Sequence, residues 1–178
     1  MRETQLSVNC LIRCHGEYLF IRRVSTKATD PDVVNILGGR VEPDENYAQT
    51  ALREAREETG DTNGSYIKEE MEYKGTFIFR GGYSKDWIAH FFRFDVDSKD
   101  IPGPIESEEG HLFWAKEIDF TKVANVIWDL PYCWDVLIDD KLTFQILAQL
   151  ETLTKPVMLQ KTVLHEDGYI VSDEKIEL

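Results

Sequence analysis

Apolar residues recur at every second position through Leu6, Val8, Cys10 and Ile12, and this period of two predicts a strand over Leu6–Cys14. His15-Gly16 makes a turn and Tyr18–Val24 repeats the strand pattern, so the two read as a hairpin. Ser25–Val33 is polar, holds a proline and reads as a loop. Val34–Leu37 is a short apolar strand that runs into Gly38-Gly39. A helix is then expected to open at Pro43-Asp44-Glu45 and to run to about Thr59, with Gly60 as its stop. Strand pattern returns over Tyr66–Arg80, most clearly at Thr76–Phe79, and Gly81-Gly82 turns it. Trp87–Phe94 and His111–Ala115 read as strands on either side of the Pro/Gly/Glu-rich loop Ile101–Gly110. A second helix is expected over Leu130–Leu137, with Pro131 tolerated in its first turn. Leu142–Leu150 fits strand or helix, and strand is preferred. Val157–Ile176 reads as a terminal hairpin turning at Glu166-Asp167-Gly168. The sum is an α+β or sandwich-like arrangement with a mixed sheet and two main helices. No repeat or linker divides it, so residues 1–178 are expected to form a single domain.

The first helix carries two distinct stripes. At about 100° per residue, Ala48, Ala51, Leu52 and Ala55 fall together and predict a buried face that packs closely on a sheet. Glu54, Glu57 and Glu58 share another arc at spacings i, i+3 and i+4. Like charges so placed cost roughly 0.2–0.5 kcal/mol per pair. A hard divalent cation reverses the sign, because Mg²⁺ takes carboxylate oxygens together with water and phosphate. Arg53, four residues before Glu57, can orient that carboxylate. A glutamate-rich helix with interspersed arginine is also a common solvated face. Gly38-Gly39 and Glu45 beside the triad favour the metal reading, since glycine lets the backbone approach closely and Glu45 can reach the same face.

The spacing resembles the signature of the Nudix hydrolases: Gly39, five residues, Glu45, seven residues, then Arg53-Glu54-Ala55-Arg56-Glu57-Glu58-Thr59-Gly60. Every polar position matches. The residue after Gly60 is usually aliphatic in that signature and is Asp61 here, a departure that bears on packing after the helix. The resemblance implies an αβα sandwich and a metal-dependent attack of water on a phosphorus of a nucleoside diphosphate linked to another group. It implies Mg²⁺, with Mn²⁺ as a substitute, held by Glu54, Glu57, Glu58 and Gly39. It implies Arg53 in the catalytic set and a general base at Glu57 or Glu45. In such chemistry the metal steadies charge on phosphate oxygens and a carboxylate removes a proton from water. The acidic loop Glu106–Glu109 is a further place for a base, or simply a solvated loop.

Three features bear on the substrate. Asn35, three residues before Gly38, resembles a base-reading residue of the subset that hydrolyses oxidised purine nucleoside triphosphates; it can equally close the preceding loop. Ile127–Trp134 resembles the tryptophan-rich stretch of that subset, with Trp128 placed to stack on a base, Asp129 to hydrogen-bond it, and Trp134 a packing residue. Ser107–Gly110 followed by His111–Trp114 resembles the loop and strand of MutT-like triphosphatases. Arg22 and Arg23 at the end of the second strand can bind phosphate or anchor that end in solvent. The leading expectation is a MutT-like nucleoside triphosphate pyrophosphohydrolase, with 8-oxo-dGTP among its candidate substrates. An ADP-ribose or nucleotide-sugar pyrophosphatase is second. A nucleotide sensor without catalysis is third, because all box glutamates are kept.

Composition narrows the partners. A net charge of −13 repels nucleic-acid polymers but not a small anion bridged by cations. No apolar run approaches the roughly 18 residues of a membrane span, and Met1–Gln5 lacks the pattern of a signal peptide, so a cytoplasmic setting is expected. Cys10, Cys14 and Cys133 are an odd set with no second ligand pair, and read as buried small apolar residues rather than a zinc site. His90 reads as a core or interface residue. A homodimer is implied by the resemblance alone.

Overall fold

The structure, a computed structural model, describes residues 2–25, 31–116, 123 and 125–178. Ten strands form one mixed sheet in the order β10-β9-β8-β5-β6-β1-β2-β3, with β4 hydrogen-bonded to β1 and β7 to β2. The strands are β1 (Thr4–Cys14), β2 (Glu17–Arg23), β3 (Val34–Asn35), β4 (Leu37–Arg40), β5 (Glu72–Gly81), β6 (Asp86–Asp95), β7 (Gly110–Ala115), β8 (Leu142–Thr152), β9 (Lys155–His165) and β10 (Ile170–Glu177). The helices are α1 (Tyr47–Thr59) and α2 (Leu130–Ile138). β1 runs parallel to β6, and β5 parallel to β8; the other pairings are antiparallel.

Two apolar clusters lie on opposite faces of the sheet because strand side chains alternate. Val8, Cys10 and Ile12 of β1 join Ala51 and Ala55 of α1 in one cluster. Leu11, with Phe77, Phe91, Phe144 and Ile146, packs against Leu130, Cys133 and Val136 of α2 in the other. The arrangement is thus helix, sheet, helix, as the expected αβα sandwich requires. Cys10, Cys14 and Cys133 are buried free thiols.

Four details differ from the pattern reading. α1 begins later, at Tyr47, because Asn46 caps it: its side chain accepts from Gln49 N, and the Gln49 side chain accepts from Asn46 N. The buried face is Thr50, Ala51, Ala55 and Thr59, while Ala48 is exposed. The threonines tolerate burial because their hydroxyls donate internally, Thr50 to Glu45 and Asn46 O, Thr59 to Ala55 O at 2.7 Å. The segment Val34–Leu37 is not one strand: β3 pairs with β2, and β4 pairs with β1. Strand structure begins at Glu72 rather than Tyr66, and residues 61–71 form a loop before it.

The switch from β3 to β4 shapes the molecule. β1 pairs with β2 through Ile12–Cys14 and with β4 through Ser7–Cys10. The sheet therefore splits between β2 and β4, and a cavity enters the split.

Candidate active site

The cavity has a volume of about 700 Å³, within the usual range for small-molecule sites. Glu54, Glu57 and Glu58 of α1 line one end, with Gly38 and Gly39 beside them. Phe79, Tyr83, Trp87, Trp128 and Asp129 line the other. Asn35, Arg23, Arg40, Ser107 and Glu109 also face it.

The acidic end is built by close contact between α1 and β4. A Cβ on Gly39 would stand 2.1 Å from Oε1 of Glu54, so only glycine leaves room for that carboxylate. Gly38 N donates to Oε2 of Glu58 at 2.9 Å. Burial pushes the Glu58 carboxyl up to about 8; Glu54 and Glu109 add to this, while Gly38 N–H and Arg23 oppose it. Burial also raises Glu54, against the neighbouring Arg53. The Glu57 side chain is 61% exposed.

Arg53 organises the helix entrance. Its guanidinium donates to Glu45 at 2.7 and 3.0 Å, to Glu54 at 2.8 Å and to Glu57 at 3.0 Å. The Arg53 hydrogen bonds hold Glu45 at a pKa of about 2, helped by the Thr50 hydroxyl. Neither Glu45 nor Arg53 lines the cavity. Of the two glutamates expected to compete as base, only Glu57 faces the cavity; Glu45 is clamped by Arg53 and holds the helix entrance.

Asn35, Arg23, Trp128 and Asp129 all reach the cavity, whereas Arg22 does not. Arg22 corrects the expectation: neighbouring strand residues point to opposite faces, and its guanidinium pairs with Asp32 at 3.4 Å. Arg23, on the inner side, has a buried Nε without a hydrogen-bond partner. Asn35 lines the cavity, and its Oδ1 accepts from Ile36 N. Trp134 packs against Tyr18 and Phe20, with ring centres 5.0 and 5.6 Å apart. His90 is half-buried against Tyr47, away from the cavity. Glu106 pairs with His111, and of that acidic loop Glu109 faces the cavity.

The sequence reading missed Phe79, Tyr83, Trp87 and Arg40. Trp128 Nε1 donates to the Tyr83 hydroxyl at 3.4 Å, and the Arg40 guanidinium lies 5.8 Å from the Trp87 ring centre. A tryptophan near the start of a strand, five residues past a Gly-Gly turn, was the available signal.

The donor set fits a hard divalent cation: carboxylate oxygens beside a glycine cradle, with Glu58 desolvated and Arg53 committed to its neighbours. The three carboxylates do not converge in this arrangement. Among the described residues, only His165, Glu166 and Asp167, at the turn after β9, bring three such ligand atoms within 4.8 Å of one another.

Residues 3–130 match the sequence model of the NUDIX domain. The chain belongs to the NUDIX family. Its members hydrolyse phosphoric anhydrides, and this NUDIX chain is a hydrolase of that class. A MutT protein from Bacillus halodurans superposes with a TM-score of 0.62 at 20% identity, covering 96% of this chain and 97% of that one. The pyrophosphohydrolase BsRppH from Bacillus subtilis superposes with a TM-score of 0.52 at 19% identity, covering 74% and 79%. Such distant likenesses speak to the fold. No curated protein sequence matches the chain significantly.

Proposed function

We propose that the chain is a Mg²⁺-dependent pyrophosphohydrolase that converts a nucleoside triphosphate, with oxidised purine nucleotides such as 8-oxo-dGTP as the leading candidates, to the monophosphate and pyrophosphate. The observation that carries this reading is one cavity that has carboxylates at one end and an aromatic wall at the other. A nucleotide has the same polarity, with a polyanion at one end and a planar heterocycle at the other.

Glu54, Glu57 and Glu58, with the Gly39 backbone, would hold the metal. When bound, the cation neutralises charge on the phosphate oxygens and makes phosphorus more open to attack. Arg23 supplies a buried N–H in search of an acceptor and suits a phosphate. Glu57 is exposed enough to meet water and takes its proton. Arg53 holds Glu45, Glu54 and Glu57 in register. Trp128, Phe79 and Asn35 receive the base. The net charge of −13 supports a free nucleotide over a polymer, and no helix among the described residues is long and apolar enough to cross a membrane. The reading includes a cytoplasmic setting.

The test is a panel of triphosphates, oxidised triphosphates, ADP-ribose and dinucleoside polyphosphates, assayed with Mg²⁺ for released phosphate after coupled cleavage. Turnover concentrated on triphosphates supports the reading. Preference for ADP-ribose would overturn the substrate while leaving the chemistry. Glu57→Gln is expected to lower kcat about 10²–10⁴-fold with nucleotide binding kept. Absence of turnover across the panel, with binding kept in the parent chain, would favour a sensor.

A further inference from the structure

Beneath the C-terminal end of α2 lies a buried ionic cluster that the chemistry above does not use. Lys74 is fully buried, and Arg93 is 3% exposed. Lys74 Nζ donates to Asp139 O at 2.6 Å and to Glu72 Oε1 at 2.9 Å. Arg93 Nη1 donates to Leu137 O at 3.2 Å and Asp139 O at 2.8 Å. Its Nη2 reaches Glu72 at 2.5 Å and Asp140 at 2.7 Å. Arg13 ties Asp140 to Asp95. The register of β5 against β6 shifts between Tyr73 and Gly75, at Lys74 itself; such bulges re-aim side chains.

Stability alone is a poor account of this arrangement. Buried ion pairs lose in desolvation about what they gain in attraction, and apolar replacements are often neutral. Burial lowers the Lys74 ammonium from its usual range, against the pull of Glu72. The cluster does supply something α2 lacks. That helix has no side-chain cap at its first turn, no basic residue in its last, and an extended rather than left-handed residue at its end. From the sheet, Arg93 reaches Leu137 O in its last turn, and Arg93 and Lys74 both reach Asp139 O just beyond it. Its apolar contacts through Leu130, Cys133, Val136 and Leu137 constrain it less sharply, since apolar packing tolerates repacking.

We propose that Lys74 and Arg93 are positioning residues that fix α2 along its axis and thereby set Trp128 and Asp129 in the cavity wall. α2 has nine residues, so it is a rod of about 13 Å that carries a constraint at one end to the other. The wall is fastened at its far side too, where Ile127 N donates to Val34 O at 2.9 Å and Val34 N to Asn125 O at 2.7 Å. The two fastenings together define where a stacked ring would sit. This inference rests on the nucleotide reading only for its kinetic consequence.

Lys74→Met keeps the aliphatic stem but removes one of the two donors to Asp139 O, leaving Arg93 to hold that carbonyl alone. Glu72→Gln is a milder second variant at a part-exposed position. Amide exchange at Ile127 and Tyr132 is expected to quicken about tenfold in Lys74→Met, less in Glu72→Gln, with α1 amides unchanged. KM for the preferred nucleotide is expected to rise about 5–10-fold with kcat within about twofold, the signature of lost ground-state binding. Unchanged exchange at Ile127 and Tyr132 in both variants would overturn the proposal. Equal quickening in α1 would also overturn it, by revealing general destabilisation. If the parent chain turned over no nucleotide, the nucleotide reading would fail by itself and the exchange comparison would still decide the clasp.

Discussion

Replacing Asp61 with alanine is expected to cost about 3–6 kcal/mol of folding stability. The carboxylate is 3% exposed and accepts from Ser65 N at 3.1 Å, Tyr66 N at 3.1 Å and Ile67 N at 2.7 Å. Ser65 N keeps a second acceptor, Asn63 Oδ1 at 2.9 Å, so two amides lose their partner. A hydrogen bond to a charged acceptor is worth roughly 1.5–3 kcal/mol, and two give the figure above. The loop so held also receives Arg56, which donates to Ile67 O at 3.1 and 3.2 Å. Urea unfolding measures the effect: with a slope of roughly 2–3 kcal/mol per molar, the midpoint is expected to fall by about 1–3 M. The pH dependence gives a second check. Burial raises the Asp61 carboxyl, but the three N–H groups outweigh it, and the folded value lies below 3.8. Its stabilisation is therefore complete above the unfolded value and disappears as pH falls through the lower folded one. The parent and Asp61→Ala curves should converge in acid. A midpoint shift below about 0.3 M at neutral pH, where the loss would be under roughly 1 kcal/mol, would refute the reasoning.

Three further outcomes follow from the same geometry. Gly39→Ala places a Cβ 2.1 Å from Glu54 Oε1; the carboxylate must move, and kcat at saturating metal is expected to fall on the order of 10²-fold, with circular dichroism unchanged. Because the Glu58 carboxyl is pushed up to about 8, a cation must displace its proton, so apparent Mn²⁺ affinity by titration calorimetry should fall as pH drops below that value, by up to about tenfold per pH unit; a flat profile from pH 6 to 9 would count against it. Gly60→Ala puts a Cβ at a left-handed C-cap with φ 70°, 2.5 Å from Gly103 Cα, and is expected to lower Tm by about 4–8 °C through roughly 2 kcal/mol of strain and contact.

The acidic triad and its glycine turn were legible because their partners are close in sequence: α1 and β4 are adjacent segments, and a helix wheel suffices. The same holds for the hairpins and for the stop at Gly60. Legibility ended where partners came from afar. The Asn46–Gln49 cap was readable, yet the acidic residues before it drew the expected start forward. Thr50 and Thr59 carry hydroxyls that no apolar stripe selects, and only their internal hydrogen bonds explain why they take the buried face instead of Ala48. The change of partner between Val34 and Leu37 left no mark, since Ile36 continues the apolar run across it. Lys74 and Arg93 resemble solvent anchors in sequence, and burial becomes explicable only with carbonyls of α2 above them. The aromatic wall joins β5, β6 and the segment before α2, which no local pattern connects.

The gap that β1 leaves by trading β2 for β4 has a further consequence. Glutamates anchored on one side of the sheet meet tryptophans rooted on the other, so the opening works as a passage through the sheet rather than a dish on its surface. The two ends of a guest are then read by parts that share almost no packing. Rebuilding the lining near Trp128 to admit a different ring should leave hydrolysis itself intact, and relatives with this gap could diverge in diet while keeping one cutting edge.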